Sequence, residues 1–323
     1  MSGENRTVTA SKDQNVAQFN EQLITAAGYS THEGTCLLWA YSDAVIIEIS
    51  GSDKAISLSP LDMVVSAYVT RFDNEWHCLL GCRQGSILHW CSQKNETTTV
   101  VEMDKQLPIT KICMGFGLVG FVHDSKAYIT SLFNDLQYYP LTNAGTYDVV
   151  IQSDQDGYFA CVAGDFGVQI FSVNPYEHTV QSDVYVVRDA MSEVAFRAHN
   201  GHLVGAATGY NTLHVFSIAK AADLAGNVFS HCVSERQSVM FTKPSIVYNP
   251  LRTTDELCIF CCSSSGFIYR MVWVFETSFI TPLEQLPSTF LNAFCVGSVR
   301  SGHEMHFFDV ENTIAVFPFS ELQ

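Results

Sequence analysis

A turn-and-strand unit recurs seven times along this chain, at intervals of roughly 35 to 57 residues. In each unit an apolar strand reaches a small or polar turn, and a second strand follows that carries an aromatic. The segments read AAGYSTHEGTCLLW (26–39), LLGCRQGSILHW (79–90), GFVHDSKAYITSLF (120–133), VAGDFGVQIF (162–171), GAATGYNTLHVF (205–216), FCCSSSGFIYRM (260–271) and CVGSVRSGHEMHFF (295–308). One small sheet of this kind cannot bury its own apolar faces, whereas a stack of such sheets can. The recurrence therefore predicts a closed ring of small antiparallel sheets. Nothing reactive recurs in the unit, which points toward binding rather than chemistry.

The second unit is the cleanest. MVVSAYVTRF (63–72), HCLLGCRQ (77–84), SILHWCS (86–92) and TTTVVEM (97–103) read as four strands, with Asp73-Asn74-Glu75-Trp76 and Gly85 as turns. The Thr-rich fourth strand suits a half-wet sheet edge. The third unit runs from Pro108 to about Asn143 and the fourth to about Arg188, with Asp154-Gln155-Asp156-Gly157 as its first hairpin turn. His199-Asn200-Gly201-His202 turns the fifth, and Asn249-Pro250 opens the first turn of the sixth, which spans about 238–287. The first and last units cover about 7–62 and 288–323. The whole of 1–323 thus reads as a single all-β domain, a seven-bladed β-propeller, with a strand near Asn5–Ser11 completing the short last blade. The Ala-rich segment 219–229 reads as one helical turn in a loop.

Composition narrows the partners. Hydrophobic residues make up 47%, including 22 Phe and 13 Tyr, which is ample for a packed core. Acids outnumber bases 33 to 17, for a net charge of −16. Such a field repels phosphate backbones, and no basic stripe interrupts it, so direct nucleic-acid binding is not expected. A neutral or basic protein surface is. The start, MSGENRTVTASKDQNVAQ, lacks the basic and apolar regions of a secretion signal, and no apolar run approaches the roughly 20 residues that cross a bilayer. The expectation is a protein of the cytoplasm or nucleus, neither secreted nor inserted in a membrane. The 11 cysteines mostly lie inside apolar strands, as small buried hydrophobes. Cys258 and Cys261 are three apart in a strand, so their sulfurs face opposite sides and cannot share a metal.

The Gly-turn-strand-aromatic unit resembles the WD-repeat β-propeller family over nearly the whole chain. Each unit is degenerate. The aromatic positions are Trp39, Trp90, Phe171, Phe216 and Phe308, no Trp-Asp pair occurs, and only Phe308-Asp309 keeps an acid after the ring. The family's Asp-His-Ser-Trp network is therefore not carried over. The order of hairpins is similar to that of the small seven-bladed propeller nucleoporins of the Y-shaped outer-ring complex of the nuclear pore. It comprises a lengthened Gly28–Gly34 turn before LLWAYSD, a short Gly85 turn before ILHW, and the closing CVGSVRSGHEMHFF. That resemblance implies a non-catalytic scaffold subunit docked on a helical nucleoporin, located at the nuclear envelope, with a kinetochore link in mitosis. The alternative is an adaptor or substrate receptor in a ubiquitin ligase, or a subunit of an RNA-export complex.

Enzyme readings find little support. Gly115, Gly117 and Gly120 spell G-x-G-x-x-G, but in an apolar strand pair with no helix after it. His199 with His202, and His303 with His306, share turns without a ligand cluster at metal spacing, apart from Glu304. Asp154 and Asp156 read as turn formers, too few in oxygens for calcium. Lys111 and Glu193 are the only charges at central positions of VVSAYV, PITKICM and SEVAFR, the expected innermost strands, and two isolated charges are little for a channel hydrolase or lyase. No catalytic, cofactor or metal residue and no small-molecule substrate is assigned. What remains is one rim of the disc, where the turns between second and third strands meet solvent. Tyr29, Phe166 and Tyr210 are its expected aromatic anchors. Arg83 and His123 sit at matching tips, and His32 lies in the lengthened first hairpin. Glu33, Asp124 and Asp165 favour a basic edge on whatever docks there.

Overall fold

In a computed structural model of the protein, residues 23–319 are described, apart from 32, 53–54, 133–136, 155–156, 175–178, 200–201, 220–227, 235–239, 249–255, 275–278, 293–294, 302 and 310–312. The chain is all-β and forms seven antiparallel sheets in succession. The first holds β1 (Thr25–Thr31), β2 (Gly34–Ala40), β3 (Val45–Ile49) and β4 (Ile56–Leu58). The second holds β5 (Val64–Phe72), β6 (Glu75–Cys82), β7 (Ser86–Cys91) and β8 (Glu96–Glu102). The third holds β9 (Ile109–Gly115), β10 (Leu118–His123), β11 (Lys126–Ser131) and β12 (Tyr138–Pro140). The fourth holds β13 (Thr146–Asp154), β14 (Gly157–Gly164), β15 (Gly167–Asn174) and β16 (Thr179–Val187). The fifth holds β17 (Glu193–His199), β18 (His202–Thr208), β19 (Thr212–Ala219) and β20 (Val228–Ser234). The sixth holds β21 (Phe241–Tyr248), β22 (Glu256–Ser263), β23 (Phe267–Val274), β24 (Phe279–Ile280) and β25 (Glu284–Phe290). The seventh holds β26 (Cys295–Ser301), β27 (Glu304–Asp309) and β28 (Ile314–Pro318).

The first strand of each blade lies against the first strand of the next, from β1 through β5, β9, β13, β17, β21 and β26, and back to β1. Seven apolar clusters fill the seven junctions between blades. The second strand of a blade is therefore covered on both faces, and every residue of β10 and of β22 is buried. The fourth strand keeps one side in water, as the four exposed residues at the start of β8 show. Cys258 and Cys261 accordingly fall in different clusters on opposite faces of β22.

Turn chemistry sets the hairpins. Asp73 and Asn74 both hold positive φ (52° and 64°), as do Asp124 and Ser125 (50° and 56°). Paired left-handed residues match the right-handed twist of the flanking strands. Phe116 (48°) and Gly117 (81°) do the same between β9 and β10, so the G-x-G-x-x-G run is a hairpin rather than a phosphate loop. Gly167 (φ 98°) closes the Asp165-Phe166 turn, and a Cβ there would strike the Val187 carbonyl.

Some expectations need correction or fall outside the described residues. Glu284–Phe290 belongs to the sixth blade, where it shares the outer edge of β23 with β24, so the last blade begins at Cys295 and not 288. The strand near Asn5–Ser11 and Asn249-Pro250 lie outside the described residues, as does most of 219–229, whose ends belong to β19 and β20. Two of the seven recurring segments sit one strand out of step. AAGYSTHEGTCLLW spans β1–β2 and CVGSVRSGHEMHFF spans β26–β27, whereas the other five span second and third strands.

Candidate interaction surface

Turns between second and third strands, together with the connectors between blades, form one rim. The sequence-predicted residues divide between the two rims. Arg83 is exposed in the β6–β7 turn, Phe166 lies in the β14–β15 turn and Tyr210 in the β18–β19 turn. Tyr29 does not join them. It lies on innermost strand β1, opposite Cys36, near the hairpin at the other rim. Its displacement follows from the one-strand offset of the first segment. Glu33 goes with it and pairs with Arg71, whose guanidinium also lies 5.3 Å over Trp76. His32 lies outside the described residues. His123 is buried at the end of β10 and donates from Nε2 to the Lys105 carbonyl at 3.1 Å, so it offers nothing to a partner.

The rim has aromatics that sequence reading passes over. Tyr147 at the start of β13 (45% exposed) and Tyr185 near the end of β16 (49%) flank Phe166, and Tyr210 (69%) stands on the next blade. The Tyr147 hydroxyl donates to Asp165 Oδ1 at 2.8 Å, and Phe166 meets Tyr185 edge to face at 6.5 Å. Phe166 itself is half-buried against the cluster between blades three and four. It props the two tyrosines more than it presents itself. Leu61 and Leu107 are exposed on connectors of the same rim. Strand alternation marks Tyr147 and Tyr185 only once strand ends are known, because both lie in strands and not in turns.

Polar groups complete this face. Asp62 accepts the backbone N–H of Gln84 at 2.6 Å and of Met63 at 2.8 Å, beside a cavity of about 550 Å³ lined by Arg83, Gln84, Gln106 and Pro108. Asp124 pairs with Lys105 at 2.6 Å, which holds its carboxyl below the usual range, though both groups stand in water and the pair is weak.

The channel differs in character. Its cavity, about 360 Å³, is lined by residues of the innermost strands, from Thr25 on β1 round to Cys295 on β26. Lys111 Nζ meets Glu193 Oε1 at 2.7 Å, and Asp148 accepts the Val149 and Val194 N–H groups at 2.9 Å each. The two charges expected from sequence are partners of one another. Burial pushes the Cys113 thiol up to about 12, leaving it unreactive. Among the described residues, one group of metal-ligand type, Glu75, His77 and Cys91, gathers within 4.8 Å, on blade two away from the aromatic rim. His306 lies 3.2 Å from Glu304, and His202 is half-buried at the start of β18.

The architecture is that of a seven-bladed β-propeller, and comparison with solved structures agrees. A chain in the crystal structure of a mitotic checkpoint complex superposes with a TM-score of 0.68 at 12% identity, covering 92% of this chain and 90% of that one. The WD40 β-propeller domain of Doa1 superposes with a TM-score of 0.60 at 12% identity, covering 92% and 93%. At such identity the likeness is one of fold. No protein-family profile matches the sequence, and no curated protein does.

Proposed function

We propose that the protein is a non-catalytic interaction scaffold, held in a larger assembly by the rim that carries Tyr147, Tyr185 and Tyr210. The observation behind this reading is that row of solvent-facing tyrosines on two adjacent blades. Tyrosine offers contact area at small entropic cost and keeps a hydroxyl for a polar partner. In the channel Lys111 and Glu193 pair with each other and Asp148 accepts two backbone N–H groups, which leaves the periphery for work. A net charge of −16 favours a neutral or basic partner surface, and the partner in this reading is a helical scaffold subunit. The sequence resemblance described above is the ground for naming the outer-ring Y complex of the nuclear pore as the assembly, with residence at the nuclear envelope, a kinetochore link in mitosis and a place in mRNA and protein transport, although Gly28–Thr31, read there as part of a lengthened turn, is strand and pairs with β2 up to Gly34.

Affinity purification with mass spectrometry tests this directly. Outer-ring helical nucleoporins are the expected co-purifying proteins. Recovery of ubiquitin-ligase adaptors or RNA-export factors in their place would replace the nuclear-pore reading while leaving a scaffold role.

A further inference from the structure

The hairpin between β6 and β7 carries a second feature, far from the tyrosine rim. Residues alternate across a strand, so Glu75 and His77 share one face of β6, and His89 and Cys91 share the same face of β7. His77 sits directly opposite Cys91 in the ladder. The four side chains meet on the side of blade two that faces blade three, beside Phe72. His77 and Cys91 are buried, while Glu75 and His89 are half-buried.

Ligand atoms of Glu75, His77 and Cys91 lie within 4.8 Å of one another, and His89 joins them through His77. The Cys91 thiol donates to Glu75 Oε2 at 2.7 Å. His77 Nδ1 lies 2.8 Å from His89 Nε2. The two ring planes are within 5° of parallel and the centroids are 5.1 Å apart, so with nitrogens this close the rings meet edge to edge. His77 Nε2 faces the Phe72 carbonyl at 3.2 Å. A carbonyl only accepts, so Nε2 carries the hydrogen and Nδ1 presents its lone pair to the cluster. A ligating histidine is commonly oriented in this way, with its far N–H held by a backbone oxygen.

From this convergence we propose that Glu75, His77, His89 and Cys91 form a binding site for a borderline-soft divalent cation, zinc above all. Two imidazoles, one thiolate and one carboxylate make a four-ligand set that suits zinc and offers little to magnesium or calcium. The ion takes the position between the two histidines. The nitrogens move apart from 2.8 Å to about 3.3 Å, the edge of a tetrahedron with Zn–N bonds of about 2.0–2.1 Å. The half-exposed His89 ring supplies that movement by tilting and shifting its hydrogen to Nδ1. The Cys91 thiol gives its proton to solvent and binds as thiolate. All four ligands come from one hairpin, so the ion would staple β6 to β7.

Chelator-stripped full-length protein, titrated with Zn²⁺ against a competing chromophoric chelator, tests the site. One ion per chain is expected, with affinity falling at least ~100-fold in Cys91→Ser and at least ~10-fold in Glu75→Gln and His89→Gln. Co²⁺ in place of zinc should give a thiolate-to-cobalt band that Cys91→Ser abolishes and Cys261→Ser preserves. His89 is half-exposed, so His89→Gln carries the test should the cysteine variant fail to fold. No stoichiometric zinc in the wild-type chain, or equal affinity in wild type, Glu75→Gln and His89→Gln, overturns the proposal.

Discussion

Trp39 on β2 meets the ring of Phe308 on β27 edge to face, with centroids 4.9 Å apart, and that contact joins the first blade to the last. Leu23, Ala26, Ile46 and Val299 surround the pair. Side-chain packing thus joins the first blade to the last. Trp39 also donates from Nε1 to Glu48 Oε2 at 3.2 Å, which keeps its one polar atom satisfied at the edge of the cluster.

Phe308 is 1% exposed, so truncation leaves a cavity at the closing junction. Phe308→Ala should cost about 3–5 kcal/mol and Phe308→Leu about 1–1.5 kcal/mol. Urea unfolding midpoints measure both. Similar midpoints for the alanine variant and wild type would show that the junction between blades seven and one contributes little.

Lys111 and Glu193 stand 82 residues apart and bridge blades three and five across the channel, past blade four. Their side chains are 26% and 16% exposed, so water screens the pair in part. Removing either partner alone should cost about 1–2 kcal/mol, less than for a fully buried pair. The double variant Lys111→Met with Glu193→Leu should cost less than the sum of the singles, with a coupling of at least about 0.5 kcal/mol. Strict additivity would mean that the pair contributes no coupling to stability.

His214 is buried on β19, with Nε2 3.5 Å from the exposed carboxylate of Asp189. Burial lowers its pKa from the ordinary 6.5, and the attraction of Asp189 does not offset this. The unfolded chain therefore takes up a proton near pH 6.5 that the folded chain refuses. Stability present above that pH is lost as pH falls below it. His77 and His89 act in the same direction. In His214→Gln the slope of stability against pH below 6.5 should shrink without vanishing. Denaturant midpoints across the range report it, and an unchanged slope would remove His214 from the account.

Tyr147, Tyr185 and Tyr210 are all exposed, so changing them together to alanine should leave the fold within about 1.5 kcal/mol of wild type. Affinity for the co-purified partner should fall at least ~10-fold. Tyr29→Ala, on the opposite rim, should leave affinity alone. Reversed results, with Tyr29 sensitive and the three tyrosines silent, would move the docking surface to the other rim.

The strands of blade two are read from sequence to within about two residues, because paired turn formers such as Asp73-Asn74 act on the backbone locally. Strict alternation is absent from β10, β14 and β22, because neighbouring blades cover both faces of a second strand and no position there needs to be polar. The same reading misplaces Tyr29. A Gly turn followed by an apolar strand and an aromatic looks alike between first and second strands or between second and third. His77, His89 and Cys91 lie on strands that sequence reading places, but Glu75 reads as part of the Asp73–Trp76 turn and the structure puts it at the start of β6. Only part of the alternate pattern on the two arms of this hairpin was therefore legible, and a search for histidines sharing a turn does not reach it.

Sequence by itself determined the seven sheets and most of their hairpins, since turn geometry and β-propensity act over a few neighbouring residues. Tertiary structure alone decided which hairpins face which rim, that Lys111 and Glu193 satisfy each other, and that Tyr147 and Tyr185 stand beside Tyr210. Those facts depend on packing between strands distant in sequence, within and between blades, and chain-local preferences carry no information about what a distant strand will cover.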